Sequence, residues 1–281
     1  MMAAGQVTQL DKSDVLSGLF GAWEAIDQLL IDLPDAEFES PTSLPGWDVR
    51  AVVSHIVGTE CTLLGSAPPE VDFDVRTLNH VRNDVAAMNE CWVQHLNGES
   101  PAELHERFVA VTNDRRKVLA EMSDTDWNTV TLTPVGPDSY GRFMRIRTFD
   151  RWVHEHDIRD AIRRPAADDE LRAAAPRLAL DEMTASMGFV VGKLGKAPDG
   201  SRILLELTGP LARSIRVVIE GRGRVVEDFG GQQPTSTIRV DGLLFTRLAC
   251  GRVRSAPAGS VELAGDHDVA ARIVEHLNYT M

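Results

Sequence analysis

Apolar residues recur at helical spacing near the start of the chain, where Leu16, Leu19, Phe20, Trp23, Ile26, Leu29 and Leu30 share one face of an amphipathic helix. A loop bearing Pro41, Pro45 and Gly46 follows and ends at Trp47-Asp48. Asp48 is placed to N-cap a second helix carrying Val49, Val52, Val53, Ile56 and Val57. A third helical pattern runs from about Val75 to Leu96. Ser100-Pro101-Ala102-Glu103 then combines an N-cap, a proline at the first helical position and a capping-box glutamate, which predicts a fourth helix to about Met122. The Thr-, Val-, Pro- and Gly-bearing segment from Asn128 to Asp138 reads as an irregular loop. A fifth helix is expected from about Tyr140 to Arg163, stopping before Pro165, and an Ala-rich sixth from about Asp169 to Leu194.

The texture changes near Gly195-Lys196-Ala197-Pro198-Asp199-Gly200. Beyond it lie short runs of branched residues bounded by Gly, Pro or Asp: Ile203 to Leu207, Ile215 to Ile219, Arg224 to Phe229 and Thr237 to Val240. These read as strands, with Gly221-Arg222-Gly223 as a hairpin turn. A helix from about Gly242 to Cys250, a strand Val261 to Ala264 and a helix from Asp268 to Leu277 complete the pattern. An α+β chain is therefore expected: a helical domain over residues 1–196, then a smaller mixed α/β domain over 197–281.

At 281 residues and 43% hydrophobic content the chain can bury a sizeable core, so a metal is not needed merely to hold the fold. Acidic residues outnumber basic ones by 42 to 29, for a formal charge of -13, which argues against nucleic acid and anionic membrane as partners. Cys61, Cys91 and Cys250 form no paired motif, as in a reducing cytosol. No basic-then-apolar leader and no spanning apolar stretch of ~20 residues is evident, so a soluble cytoplasmic protein is expected. Two basic clusters stand out. Arg115-Arg116-Lys117 reads as a solvated helix face, whereas the arginines from Arg142 to Arg151 flank a cluster of chemical interest and could help bind an anionic ligand.

That cluster is Asp150-Arg151-Trp152-Val153-His154-Glu155-His156-Asp157-Ile158-Arg159. On a helix, Asp150 and His154 stack on one face with Cβ atoms ~5–6 Å apart, and both can reach one divalent cation at ~2.0–2.2 Å. The same spacing also suits a surface ion pair. His55, on the apolar second helix, is the third ligand of choice, although a lone histidine there is otherwise a packed core residue. Inward side chains of facing bundle helices are a standard place for such sites, and two imidazoles with one carboxylate leave a coordination position open for chemistry.

Leu44 through His55 resembles the early histidine helix of the DinB-like metal-binding bundle, and Asp150 through Arg159 resembles that family's later ligand helix. Asp241 through Arg252, with Gly265-Asp266-His267, is similar to the tail of mycothiol-dependent maleylpyruvate isomerase relatives. The resemblance implies a DinB-like four-helix bundle with extra helices and a divalent ion, typically zinc, held by His55, Asp150 and His154. The family commonly has histidine or glutamate where this chain has Asp150. Aspartate is one methylene shorter, so the ion would sit nearer the helix backbone or be held more loosely. The resemblance further implies an arginine of the second domain that assists with substrate carboxylates. Arg252 is the best positional match, Arg247 its competitor; an arginine after a helix-ending glycine is otherwise simply exposed.

Around the ligands, Asp157 could accept the free N–H of a metal-bound imidazole, or pair with Arg159 or Arg163. Glu155 is expected to be solvated and His156 to lie at a pocket edge or on the surface. Glu60 lies too far round its helix, and Cys61 too far along it, to share the ion. The resemblance thus points to a metal-dependent enzyme that activates mycothiol. It would act either as a maleylpyruvate-type cis–trans isomerase or as a thiol S-transferase on an electrophilic or unsaturated acid. The competing reading is a non-catalytic metal- or ligand-binding module.

Overall fold

The structure is a computed structural model describing residues 7–280, and it divides into two compact units between Ala166 and Ala167. In the first, α1 (Lys12–Leu30), α2 (Val49–Leu63), α4 (Pro101–Glu121) and α6 (Tyr140–Ala161) pack as a four-helix bundle, and α3 (Asp84–Leu96) lies against α2. Each helix begins where a short polar side chain can take up an orphan amide. Asp48 accepts from the Ala51 N–H at 2.8 Å, Ser139 from the Arg142 N–H at 3.1 Å, and Ser100 with Glu103 closes the reciprocal capping box. Trp23, Ile26, Val52, Ile56, Phe108, Leu119, Met144 and Ile158 fill the interior. Between α2 and α3 the Trp92 side chain lies directly on the α2 backbone: a Cβ on Gly58 would lie 2.3 Å from the Trp92 ring. This one glycine sets the depth at which Trp92 packs.

Two local expectations are corrected in this unit. The pattern from Val75 to Leu96 is not one helix, because a 3₁₀ turn at Val75–Thr77 precedes α3, which starts only at Asp84. Asn83 accepts from the Ala86 N–H at 2.8 Å and caps α3 there, while Val75 is the one side chain of the preceding turn that is buried. The segment Asn128 to Asp138 is not irregular. After the short α5 (Asp124–Trp127), β1 (Val130–Thr133) and β2 (Gly136–Ser139) form an antiparallel hairpin in which Leu132 faces Pro137. Proline is tolerated because a two-stranded ribbon consists only of edges.

The second unit holds a five-stranded sheet: β3 (Arg202–Thr208), β4 (Arg213–Glu220), β5 (Arg222–Val226), β6 (Ser236–Asp241) and β7 (Val261–Gly265), ordered β5-β4-β3-β6-β7. β3 and β6 run parallel and the other pairs antiparallel. Ile203, Leu205 and Leu207 alternate inward, as the period of two requires. α8 (Gly242–Ala249) and α9 (His267–Glu275) complete the unit. The expected sixth helix is broken into a 3₁₀ turn at Glu170–Arg172, α7 (Ala174–Phe189) and a π turn at Val190–Leu194. α7 packs on β4 and β5, so it joins the sheet's unit rather than the bundle. The compact units therefore part at 166/167, ahead of the 196/197 change in sequence texture. Within the second unit α7 meets β5 backbone to backbone: a Cβ on Gly188 would meet the Gly223 carbonyl oxygen at 2.7 Å.

Candidate metal centre

α2 and α6 bring His55, Asp150 and His154 together, with one ligand atom from each lying within 4.8 Å of the others. His55 Nε2 is 3.7 Å from Asp150 Oδ2, and His154 Nε2 is 3.7 Å from Asp150 Oδ1. Two donors bound about 2.1 Å from a common ion stand about 3.0–3.5 Å apart, so small side-chain adjustments bring the three into that range. The imidazole rings meet edge to face at 4.9 Å between centroids.

The surroundings fix the rings. Asp157, fully buried, accepts from His154 Nδ1 at 3.1 Å, which leaves Nε2 with its lone pair toward Asp150. Trp47 packs over both rings, with centroids 5.2 Å from His55 and 6.4 Å from His154. Its indole N–H donates to Glu90 Oε2 at 3.0 Å, and His80 Nε2 reaches the same oxygen at 3.0 Å. Gly46, at φ +80°, lets the chain turn beneath His80, whose ring would lie 2.8 Å from any Cβ there. Thus one buried carboxylate on α3 anchors the indole that roofs the site.

Electrostatics keep the donors in ligating form. Burial pushes the His55 imidazolium pKa down to about 3, against an opposing pull from Asp150, so the ring is neutral near pH 7. Burial alone would raise the Asp150 carboxyl, but Arg147, Arg151 and His154 overcome it and hold Asp150 well below the usual carboxylate range. Arg147 Nη2 pairs with Asp150 Oδ2, and Arg151 Nη2 lies 3.1 Å from the same oxygen. A neutral His55 imidazole and an ionised Asp150 carboxylate beside His154 make a nitrogen and oxygen donor set that suits a divalent cation, and His55 Nδ1 is buried without a hydrogen-bond partner among the described residues. On these grounds the residues fit such an ion.

Several neighbouring residues depart from their expected settings. Glu155 is not solvated: it is buried and accepts from Arg159 Nε at 2.7 Å. His156 is neither at a surface nor at a pocket edge; its Nδ1 donates to the Trp152 carbonyl at 3.1 Å and its ring packs on Trp152. Arg115 is not on a solvated face, because it is buried and paired at 3.1 Å with Glu60. Glu60, outside the donor set, instead bridges Arg115 and Arg151, whose Nε lies 3.5 Å away. The sequence showed the run of arginines from Arg142 to Arg151 but not which of them would touch Asp150; the i−3 spacing of Arg147 was the available signal. In the second unit, Arg252 Nη1 donates to the Cys250 carbonyl at 2.7 Å and its amide to the Arg247 carbonyl at 2.9 Å, while Arg247 is buried.

Fold and site define a class: an α+β chain of two units whose helical bundle carries a His–Asp–His donor set, two buried imidazoles with a half-buried carboxylate, roofed by an indole. The sequence profile of the mycothiol maleylpyruvate isomerase N-terminal domain matches residues 19–159, and that of the MDMPI C-terminal domain matches residues 177–272. The chain belongs to the mycothiol maleylpyruvate isomerase family. Among solved structures, the crystal structure of the mycothiol-dependent maleylpyruvate isomerase superposes with a TM-score of 0.59 at 17% identity, covering 91% of this chain and 93% of that one. A histidine-to-alanine mutant of that enzyme gives a TM-score of 0.57 at 18% identity, with the same coverage. Uncharacterized proteins from two strains of Mycobacterium tuberculosis (CDC 1551 / Oshkosh and H37Rv) are 26% identical over 214 residues, covering 71% of this chain and 75% of each relative. Among the described residues, no helix is long and apolar enough to cross a membrane.

Proposed function

We propose that this chain is a divalent-metal-dependent enzyme that activates a low-molecular-weight thiol, mycothiol, and isomerises a maleylpyruvate-type unsaturated diacid. The observation that carries the reading is the convergence of three ligating atoms from two helices within 4.8 Å of one another, in a chain of the family named for mycothiol maleylpyruvate isomerase. His55, Asp150 and His154 would hold the ion, probed first as zinc. When bound, a cation at an open position favours thiolate over thiol at neutral pH.

The protein's own residues would prepare that position. Asp157 holds His154 in one tautomer. Arg147 and Arg151 keep Asp150 ionised. Trp47 shields the imidazoles on one side and so limits access of water. The chemistry is addition of the thiol sulfur to the double bond, rotation about the resulting single bond, and expulsion of the thiol. Isomer forms and no thiol is consumed. Arg252 is proposed to assist with a substrate carboxylate, testable by an Arg252→Ala variant that folds and loses turnover while Arg247→Ala does not.

Incubation of the zinc-loaded protein with mycothiol and maleylpyruvate tests the reading. Geometric isomer with thiol titre unchanged is expected. Stoichiometric thiol adduct would make the protein an S-transferase, and zinc binding with neither product would reduce it to a non-catalytic binding module.

A further inference from the structure

The proposed ion is not the only charge at this site that lacks an answer. Glu60, Arg115, Arg147, Asp150 and Arg151 form one connected set of contacts, with three guanidiniums against two carboxylates. Glu60, Arg115 and Arg151 are all but inaccessible, at 1%, 1% and 0% side-chain exposure. The cluster opens at its other end, where Arg147 is 12% and Asp150 27% exposed. Arg115 pairs with Glu60, and Arg151 lies between Glu60 and Asp150. For Arg147, the ion-pair partner among the described residues is Asp150, which Arg151 already shares. Arg147 Nε and all three guanidinium nitrogens of Arg151 are buried without an aligned hydrogen bond among the described residues.

A carboxylate that ligates a cation has less charge to offer a guanidinium, and a dication beside Arg147 adds repulsion in a medium of low dielectric. We propose that Arg147 receives a carboxylate of the unsaturated acid, exchanging Asp150 for the substrate when Asp150 turns to the ion. This rests on the metal-dependent reading above and names the substrate group that the site selects. Arg147 stands one turn before Asp150 on the same face of α6 as His154, so an anion on its guanidinium sits beside the ion rather than remote from it. The planar fork presents paired donors matched to a carboxylate, which a lysine cannot reproduce. Arg151 is the fixed cation behind it, held by Glu60, and contributes field rather than contact.

The test uses the full chain and measures two equilibria separately: zinc by competition with a chromophoric chelator, and maleate by calorimetry on the zinc-loaded protein. In Arg147→Met, zinc affinity is measured first and maleate is then titrated at saturating zinc, so that any change at Asp150 is separated from loss of the carboxylate contact. Maleate affinity should fall about ten- to hundredfold, the worth of a charge-assisted hydrogen-bonded pair. Arg147→Lys should recover part of it. Dimethyl maleate, without charge, should bind the parent at least tenfold more weakly than maleate. Undiminished maleate binding by zinc-loaded Arg147→Met overturns the inference and leaves the metal reading standing, whereas failure of the parent to bind zinc overturns both. Should Arg147→Met not fold, equal affinity of the parent for maleate and its dimethyl ester would overturn the inference by itself.

Discussion

Glu60 sits at the junction of three bundle helices, and replacing it by glutamine isolates its charge from its shape. The side chain on α2 is 1% exposed, faces Arg115 of α4 at 3.1 Å and lies 3.5 Å from Arg151 of α6. Glu60→Gln keeps volume and an acceptor oxygen, so no cavity opens. It removes the counter-charge of one sealed guanidinium and half the partnership of another. Breaking a buried pair from one side costs about 3–5 kcal/mol, because the surviving ion stays desolvated. Domains are stable by only about 5–15 kcal/mol, so this is a large fraction. At about 2–4 °C per kcal/mol for a unit of this size, the bundle's melting midpoint should drop by roughly 6–20 °C. The assay is urea unfolding followed by tryptophan fluorescence, with the exposed pair partner variant Glu99→Gln as the control. That pair, to half-exposed Arg107, should be worth under about 1 kcal/mol. The double variant Glu60→Leu/Arg115→Leu should recover stability relative to Glu60→Gln, since apolar residues of similar volume replace buried ions at little cost. A loss below about 1 kcal/mol in Glu60→Gln would show that the guanidiniums reach water and would refute the argument.

Other consequences are accessible to simpler measurements. Asp157→Ala should weaken zinc binding about 10–100-fold by chelator competition while the fold persists, because His154 loses the acceptor that fixes its tautomer. Treating zinc-loaded protein with chelator should remove the ion and leave the far-ultraviolet circular dichroism unchanged, since buried apolar side chains such as Trp23, Ile56 and Phe108 and the Glu60–Arg115 pair join the helices without it; unfolding on removal would contradict this. The His55 pKa is about 3 when folded and near 6.5 when unfolded, so below about 6.5 the unfolded chain binds the extra proton. Ion-free protein should therefore lose stability as pH falls from about 6.5 toward 3, by up to about 1.4 kcal/mol per pH unit from this group, and His55→Gln should flatten that slope. Gly58→Ala should cost roughly 1–3 kcal/mol in a urea titration, because its methyl group meets the Trp92 ring at 2.3 Å; an unchanged midpoint would mean that α2 and α3 separate freely.

Much of this architecture is local and was therefore legible in the chain. Asp48, Ser100 with Glu103, and Ser139 each satisfy an amide within a few residues of themselves, so the starts of α2, α4 and α6 follow from short-range chemistry. The pairing of Asp150 with His154 follows from helical period alone, and β3, β4, β6 and β7 from branched runs between turns, whereas β5 spans Arg222–Val226 rather than Arg224 to Phe229, because Arg222 and Gly223 already pair with β4. Where local signals conflicted, reading failed. Val75 to Leu96 has helical spacing but is interrupted by the Asn83 cap, and the Pro137 hairpin looks like a loop until its partner strand is seen.

Tertiary packing decided the rest. Nothing between residues 55 and 150 states that α2 and α6 face each other; only the closed bundle brings their ligating atoms within 4.8 Å. Nor could the chain alone say that Arg115 and Glu60 would neutralise one another indoors, or that Glu155 would be buried against Arg159. A charged side chain has the same local propensity on a wet face as on a dry one. For Arg115 the counter-charge arrives from another helix, a distance that sequence spacing does not encode; for Glu155 the partner stands four residues on in the same helix, and the packing of the bundle around the pair decides its burial.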